Sequence, residues 1–351
     1  MPSLQALKRS ARYELIRAGL EGTALALNFG LPLTNPQRGV IFALHHVDPE
    51  SPANWAPNAW LSITPTFLEQ AIEVCKEEGL IPIALEDLPE RLADPQDTRR
   101  YVCFTLDDGY RDNARFAAPV FQRHAVPYTI FITSGFVERT RSIWWKTAQD
   151  LVMRTDDVDL STFGIDTRVN IEQRAERVAL FDRLANAVND AENEDTAIAR
   201  LDSLAAAHGI DPLAITEHLT MNARELAELA ADPLAHFGAH TLTHANLTKV
   251  DDKRLETEMV QSAARVGGYV GAKPTTFAYP YGYASAVGAR EIAAARQAGF
   301  VAAVTTRPGL LSETSGKAAT ALPRVSLNGF YQRKRYVRAL LSGLPFRLRQ
   351  T

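Results

Sequence analysis

Two adjacent carboxylates near the middle of the chain could hold a metal ion or move a proton. Asp107 and Asp108 directly follow an apolar run at 101–106, where a buried strand should end, and Gly109 then permits a sharp turn. Two neighbouring carboxylates cannot both enter a core unless a cation or a proton offsets their charge. On their own, they are equally typical of a solvated turn that caps the next helix.

Two histidines four residues apart strengthen the metal interpretation. His240 ends another apolar run and His244 follows about one turn later, so both imidazoles can point to one spot. This spacing alone has many coincidental matches. It becomes specific when a carboxylate from another strand end joins it, and Asp107 or Asp108 could do so. Two imidazoles and one carboxylate leave a coordination position open for water, as a catalytic Zn²⁺ requires, and the second aspartate could then take a proton from that water.

Two further segments place polar groups at strand ends. His45 and His46 follow an apolar run at 39–44. Either could be a core histidine bonded to the backbone, and we favour His46 over His45 as the one that faces a site. The segment Pro280-Tyr281-Gly282 is a rigid turn after another apolar run, and a backbone N–H of this turn could stabilise an oxyanion. This last motif is short and, alone, of low specificity.

The elements that carry these residues follow an α/β pattern. Helical periodicity separates most of the apolar runs, and fully apolar strands alternating with helices predict a parallel sheet or barrel covered by helices. The predicted strands lie at 39–44, 80–85, 101–106, 126–132, 234–239, 275–279, 300–305 and 322–327.

Residues 140–232 interrupt this rhythm. They contain no clear strand, and their periodicity predicts helices at 171–188, 196–207 and 222–230. We interpret them as a helical insertion on the barrel, with a separate small domain as the alternative. Trp144 and Trp145 stand at its entry.

The two termini have a basic, amphipathic character. Residues 4–27 predict a helix outside the barrel, and the tail from Gln332 carries basic residues without acidic ones. Such ends could contact an anionic surface. The equally supported alternative is a C-terminal helix packed on the N-terminal one.

Composition sets limits on the class of protein. The chain has 351 residues, of which 46% are hydrophobic and 23% charged, with a net charge of -3. These values are typical of a globular protein and predict no nucleic-acid partner. Cys75 and Cys103 lie in apolar contexts and are expected to be buried free thiols. Because neither a convincing signal peptide nor an apolar run long enough for a transmembrane helix is visible, a cytoplasmic location is expected.

Taken together, the motifs resemble one known family, the polysaccharide deacetylases (the NodB-homology group, or carbohydrate esterase family 4). The resemblance covers roughly residues 38–328, apart from the insertion. It is carried by the segments Thr105-Leu-Asp107-Asp108-Gly109, His240-Thr-Leu-Thr-His244, Tyr279-Pro280-Tyr281-Gly282, Leu44-His45-His46-Val47 and Leu322-Pro323-Arg324-Val325.

The resemblance implies an α/β fold, a distorted (β/α)₇ barrel at 38–328, with an N-terminal helical extension at 1–37 and a basic tail at 329–351. It implies that metal-activated water hydrolyses N-acetyl groups of an amino-sugar glycan, a chitooligosaccharide or a glycolipid. The metal would be divalent, most simply Zn²⁺, with Co²⁺ or Ni²⁺ as alternatives. The roles carried over are base for Asp107, metal ligands for Asp108, His240 and His244, and oxyanion donor for the Tyr281 N–H.

The sequence departs from the family pattern at two catalytic positions. Ala278 stands where the family has an arginine that orients the base, and we predict that Arg324 replaces it. No histidine follows His244 to act as the general acid, so we predict that His46 supplies this proton. The tryptophan motif of the acetyl pocket is also not evident. The alternatives are therefore an O-acetyl esterase or other amide hydrolase on the same site, or an inactive glycan-binding barrel.

Overall fold

A computed structural model describes residues 4–29, 37–163, 168–171 and 173–347. The strands of these residues are β1 (Gly39–Leu44), β2 (His46–Val47), β3 (Ser62–Ile63), β4 (Leu80–Pro82), β5 (Arg100–Leu106), β6 (Tyr128–Ile132), β7 (Asp157–Asp159), β8 (Arg168–Asn170), β9 (Ala235–Ala239), β10 (Thr276–Ala278), β11 (Ala302–Val304) and β12 (Val325–Ser326).

The helices of the same residues are α1 (Leu4–Asn28), α2 (Pro65–Glu77), α3 (Leu88–Ala93), α4 (Ala118–His124), α5 (Ser134–Val137), α6 (Trp144–Arg154), α7 (Arg174–Asn189), α8 (Glu194–Ala207), α9 (Pro212–Leu219), α10 (Ala223–Leu229), α11 (Asp252–Val270), α12 (Ala289–Gln297), α13 (Lys334–Leu341) and α14 (Leu344–Arg347).

A curled parallel sheet forms the centre of the fold, and helices cover it. Seven strands follow the order β11-β10-β9-β6-β5-β1-β12, and β4 pairs with the start of β5. The sheet turns back on itself, because Val304 at the end of β11 bridges in parallel to Leu322, just before β12. The predicted α/β class and distorted (β/α)₇ barrel are confirmed.

The sheet core is made of strand residues that are buried on both faces, as a parallel sheet under helices requires. β1, β6 and the residues of β5 after Arg100 are buried throughout, and α2 and α4 pack on one side through residues such as Phe67, Leu68 and Phe121. The near-continuous apolar runs that predicted these strands therefore reflect burial on two faces.

The insertion contains a feature that the sequence did not predict. β7 and β8 form an antiparallel pair, with Val158 opposite Val169, so the expectation that residues 140–232 contain no strand is wrong. The reason is length, because each strand has three residues and one apolar side chain, too few to show a period of two. The predicted helices correspond to α7, α8 and α10, and the structure adds α6 and α9.

The N-terminal helix and the C-terminal tail pack on each other. Leu20 and Ala24 of α1 form an apolar cluster with Tyr336 and Ala339 of α13. The tail's described cations have acidic partners, which are Glu21 for Arg335, Glu73 for Lys334 and Glu78 for Arg338. The structure thus gives no support to a free basic surface at this end and agrees with the packed alternative. Arg349 and the side chain of Arg347, also part of the predicted basic tail, lie outside the description.

Two simpler expectations concern the cysteines and the membrane. Cys75 and Cys103 are both buried and free, as predicted. Among the described helices, none combines the length and the apolar character needed to span a bilayer.

Candidate active site

Strand register brings three polar residues to the same edge of the sheet. Leu44, Leu106 and Ala239 end their strands, and the next residue in each case is His45, Asp107 and His240, respectively. Backbone hydrogen bonds extend the ladder by one step, from Asp107 N–H to Leu44 O at 3.0 Å and from His240 N–H to Ile132 O at 2.9 Å. The carboxyl edge of a parallel sheet is where active sites of such folds lie.

Asp108, His240 and His244 form a compact three-ligand group. The Asp108 Oδ1 atom lies 3.6 Å from His240 Nε2 and 3.5 Å from His244 Nε2, and the three candidate ligand atoms all lie within 4.8 Å of one another. His240 Nδ1–H donates to the Ala278 carbonyl at 2.7 Å. This bond leaves the lone pair of His240 on Nε2, facing Asp108, as a metal ligand requires.

The backbone of the site is held in a conformation that side chains rarely adopt. Asp108, Thr241, His244 and Tyr281 have φ of 75°, 66°, 56° and 62°, and they are four of the seven non-glycine residues with positive φ in the described chain. The Thr241 hydroxyl oxygen accepts a bond from His244 N–H at 2.9 Å, which fixes this turn. Such left-handed residues are costly and concentrate at functional sites.

The donor set fits a divalent cation. Asp108 Oδ1 is buried and no described residue gives it a hydrogen bond. Burial and the negative charge of Asp107 raise the pKa of Asp108 to about 8, so the protein alone does not stabilise this carboxylate. A divalent cation would offset the charge, and two imidazoles with one carboxylate suit Zn²⁺ and several other metals.

Asp107 is held by a buried arginine. Arg324 Nη1 and Nη2 each donate to the Asp107 carboxylate at 2.7 Å, and Arg324 Nε donates to Thr305 O at 2.9 Å. Burial would raise the pKa of Asp107, but the charge and hydrogen bonds of Arg324 hold that pKa well below its usual range. Arg324 therefore lies in the position that the sequence predicted, in contact with the candidate base.

The structure separates the two neighbouring histidines. His46 belongs to β2, where its Nδ1–H donates to Asp112 at 2.5 Å and its ring stacks on Tyr110 at 3.7 Å. His45, by contrast, has its Nε2 4.0 Å from Asp107 Oδ2. The geometry thus favours His45 over His46 as the histidine of the site.

The register of β1 against β5 explains this choice. Leu44 pairs with Leu106 in the parallel ladder, so His45 stands opposite Asp107, whereas His46 is one residue further along. Successive strand residues face opposite sides, so only one of two adjacent histidines can face the base.

Tyr281 contributes through its backbone and its side chain. No described residue accepts a hydrogen bond from its N–H, as the predicted oxyanion donor requires. Its ring packs at 5.2 Å on the His244 ring, and its hydroxyl accepts from Trp144 Nε1 at 3.0 Å and donates to Glu194. This turn is therefore tied to the insertion.

The insertion also reaches the metal-ligand group through aromatic residues that sequence reasoning did not assign to the site. The Trp145 ring lies 4.7 Å from the His244 ring, and its Nε1–H donates to the Tyr110 hydroxyl at 3.1 Å. Burial and the nearby charge of Asp108 raise the pKa of Tyr110. The only signals in the sequence were the position of Tyr110 after the aspartates and of the tryptophan pair at the insertion's entry.

Comparisons with known proteins agree with this architecture. A family profile described as Polysaccharide deacetylase matches residues 94–179 and 212–303, about half of the chain. No curated protein matches the sequence significantly.

Among solved structures, a polysaccharide deacetylase from Bacillus cereus is 15% identical with a TM-score of 0.53, covering 87% of this chain and 69% of that one. IcaB from Ammonifex degensii is 18% identical with a TM-score of 0.51, covering 83% and 92%, respectively. At these identities, the structural likeness supports the fold.

Proposed function

This chain belongs to the polysaccharide deacetylase family of hydrolases, and we propose that it removes N-acetyl groups from an amino-sugar glycan, oligosaccharide or glycolipid. We propose further that the reaction depends on a divalent cation held by Asp108, His240 and His244. The observation that carries the proposal is the placement of Asp107, fixed by Arg324, directly beside this three-ligand group. A protein that only binds glycans has no need for a base at that point.

The proposed roles of the chain's own residues follow from their positions. A cation in the three-ligand group would polarise the acetyl carbonyl and lower the pKa of a bound water. Asp107, kept ionised and oriented by Arg324, accepts the proton of the attacking water. The Tyr281 N–H donates a hydrogen bond to the oxyanion of the tetrahedral intermediate.

His45 is our candidate for the proton donor to the leaving amine. Burial, opposed by the charge of Asp107, lowers the pKa of His45 to about 4, so its imidazole is neutral in the resting site. Because it is neutral at rest, it would gain a proton only after Asp107 has taken one from the nucleophile. Its Nε2 lies 4.0 Å from Asp107 Oδ2, so this transfer requires the two groups to approach each other or one water to bridge them. This order delivers the proton when the carbon–nitrogen bond breaks.

The substrate class rests on the names of the related proteins. The similar structure from Bacillus cereus is described as a polysaccharide deacetylase, which supports an acetylated glycan as the substrate. Chitooligosaccharides and acetylated glycolipids are the first substrates to test.

The direct test is acetate release by the purified protein. We expect bound metal, release of acetate from an N-acetylated sugar, and loss of release with a chelator that is restored by Zn²⁺, Co²⁺ or Ni²⁺. Release from O-acetylated sugars alone would support the esterase alternative. Bound metal without acetate from any acetylated sugar would support the glycan-binding alternative.

A cytoplasmic location also remains our proposal. Its test is fractionation of cells that express the full chain, followed by detection of the protein in each fraction. Recovery in the membrane or external fraction would contradict it.

A further inference from the structure

One buried carboxylate of the insertion contacts two loops of the active site. Glu194, the first residue of α8, is only 7% exposed. It accepts hydrogen bonds from the Tyr281 hydroxyl and from the Asn246 backbone N–H, the latter at 2.7 Å. Tyr281 carries the proposed oxyanion donor, and Asn246 lies two residues after the metal-ligand candidate His244.

These contacts join two loops that the barrel itself leaves separate. His244 follows β9, Tyr281 follows β10, and each has positive φ. The ring contact between them, at 5.2 Å, is an edge-to-face contact of two aromatic rings. The two bonds to Glu194 add further directional contacts between the loops, because hydrogen bonds weaken steeply when misaligned.

Glu194 is itself held from several sides. Trp144 Nε1 donates to the same Tyr281 hydroxyl, and Lys249, just beyond the His244 loop, donates to Ala191 O at 2.8 Å. The next residue, Asp195, pairs with Arg141 of the insertion and, at 2.5 Å, with Arg254 of the barrel helix α11. The start of α8 is thus clamped to the barrel, so the carboxylate has little freedom to move.

Stability alone is a poor explanation for this arrangement. Burial raises the pKa of Glu194, although Tyr281 and the Asn246 N–H act in the opposite direction. A buried carboxylate is costly unless its bonding is complete, and no described cation forms an ion pair with it. An exposed glutamate, Glu192, lies two residues away and shows that the segment tolerates an acid outside the core.

We propose that Glu194 is a positioning residue for the deacetylation reaction, which fixes the His244 loop and the Tyr281 turn relative to each other. The proposal rests on the proposed function for the roles of His244 and Tyr281. It predicts that the insertion is part of the catalytic apparatus, although none of its residues needs to touch the reacting atoms.

The test compares Glu194→Ala and Glu194→Gln with the control Glu192→Gln. At saturating metal, we expect Glu194→Ala to lower kcat about tenfold or more, within the range for groups that orient metal ligands. We expect KM to change by less than about threefold, because the proposed role of Glu194 involves no contact with substrate. Glu194→Gln should be intermediate, since its amide oxygen can accept only part of this bonding. Glu192→Gln should match the wild type.

A double-mutant cycle separates positioning from a general structural effect. Tyr281→Phe keeps the backbone N–H and removes the hydroxyl, which bonds both Glu194 and Trp144, so adding it to Glu194→Ala should lower kcat by a much smaller factor than it does in the wild type. Multiplicative losses of kcat in the double variant would overturn the proposal, and so would a wild-type kcat in a folded Glu194→Ala protein.

Cobalt binding provides a readout that does not need activity. We expect the Co²⁺ dissociation constant, followed by the visible spectrum of the ion, to rise about tenfold in Glu194→Ala and to stay unchanged in Glu192→Gln. If the wild type releases no acetate, the proposed function fails while this measurement still tests the positioning role. Equal Co²⁺ affinity in Glu194→Ala and wild type would overturn that role.

Discussion

The carboxyl edge of the sheet and the helical insertion contribute differently to the site. The groups that would react, Asp107, Asp108, His45 and His240, are each within two residues of a strand end and are placed by backbone register. The insertion's residues reach the same region mainly through side chains, apart from a backbone bridge in which Met221 N–H donates to Gly109 O at 3.0 Å. They contact the residues that hold the reacting groups.

This difference indicates a division between chemistry and support. Backbone ladders fix positions closely because each step adds two hydrogen bonds, whereas a long side chain such as that of Trp144 or Glu194 reaches further and can contact two loops at once. Changes at the sheet edge should therefore remove a catalytic step. Changes in the insertion should reduce the efficiency of steps that still occur.

The largest effect should come from Asp107→Asn. Asparagine keeps the shape but cannot take a proton, so we expect kcat to fall about a thousandfold, as for other lost general bases. The measurement is acetate release at saturating metal, with metal content measured in parallel, which should be unchanged. A loss of kcat of less than about tenfold would contradict the role of Asp107 as the base. It would also remove the expected difference in kcat loss between the sheet edge and the insertion.

Arg324→Lys should impair both activity and stability. Lysine keeps the charge but cannot reproduce the two-bonded contact with Asp107, so the loss of unfolding free energy should stay below the cost of removing one partner of a buried pair, which is about 3–5 kcal/mol. Urea unfolding measures this loss. The matched control is Arg335→Ala, which removes the exposed pair with Glu21 and should leave the urea unfolding midpoint nearly unchanged. Unchanged activity in Arg324→Ala would exclude a role in orienting the base.

The two adjacent histidines offer a comparison within the sheet edge. We expect His45→Gln to lower kcat about a hundredfold, the effect of a lost general acid. His46→Gln should have a much smaller effect, because His46 is engaged with Asp112. A larger loss of kcat in His46→Gln than in His45→Gln would instead support His46, the residue chosen from the sequence. Single-turnover acetate release distinguishes the two.

Between about pH 6.5 and 8, the metal-free wild type should lose stability relative to Asp108→Asn. The pKa of Asp108 is raised by folding to about 8, so its proton stabilises the folded state and this contribution is lost as pH rises through that value. The site histidines have lowered pKa values, so their contribution to stability rises with pH near the unfolded value of about 6.5 and opposes this trend in both proteins. The comparison with Asp108→Asn therefore isolates the effect of the carboxyl group.

The measurement is the Tm of the chelator-treated protein at pH 6.5 and at pH 8. Asp108→Asn should remove the fall in Tm that is due to Asp108. Excess Zn²⁺ should reverse that fall in the wild type, because the ionised carboxylate is the form that binds the cation. A wild-type Tm that does not fall relative to that of Asp108→Asn between pH 6.5 and 8 without metal would contradict the prediction.

The smallest effect is expected from Trp145→Phe in the insertion. Phenylalanine keeps an aromatic ring near His244 but loses the hydrogen bond to Tyr110, so we expect kcat to fall about three- to tenfold, the equivalent of one hydrogen bond. Steady-state kinetics measure this. A loss as large as that of Asp107→Asn would mean that the insertion takes part in the chemistry itself.

The sequence was informative where function depends on short local patterns. Asp108, His240 and His244 lie in two compact motifs, and the curled parallel sheet follows from apolar runs whose burial on both faces leaves a clear signal. The contact of Arg324 with Asp107 was inferred from the motif around the last strand. In the structure, Asp107 follows β5 and Arg324 directly precedes β12, and both strands pair with β1.

The rest depended on contacts between distant segments. The choice between His45 and His46 depended on how β1 is aligned with β5, and the hydrophobic pattern does not show where β1 ends. Glu194 contacts residues 52 and 87 positions later, which no local pattern can indicate. The β7–β8 pair escaped detection because its strands are too short.

The position of Arg324 also has a consequence for the order in which the protein can mature. Its guanidinium bonds Thr305 after β11 and Asp107 after β5, and it directly precedes β12, which pairs with β1. The candidate base therefore acquires its partner only when the last strand of the barrel has docked. During synthesis, a chain that has not yet reached residue 324 would hold the metal ligands but not an oriented base, so catalytic competence would arise only in a completed barrel.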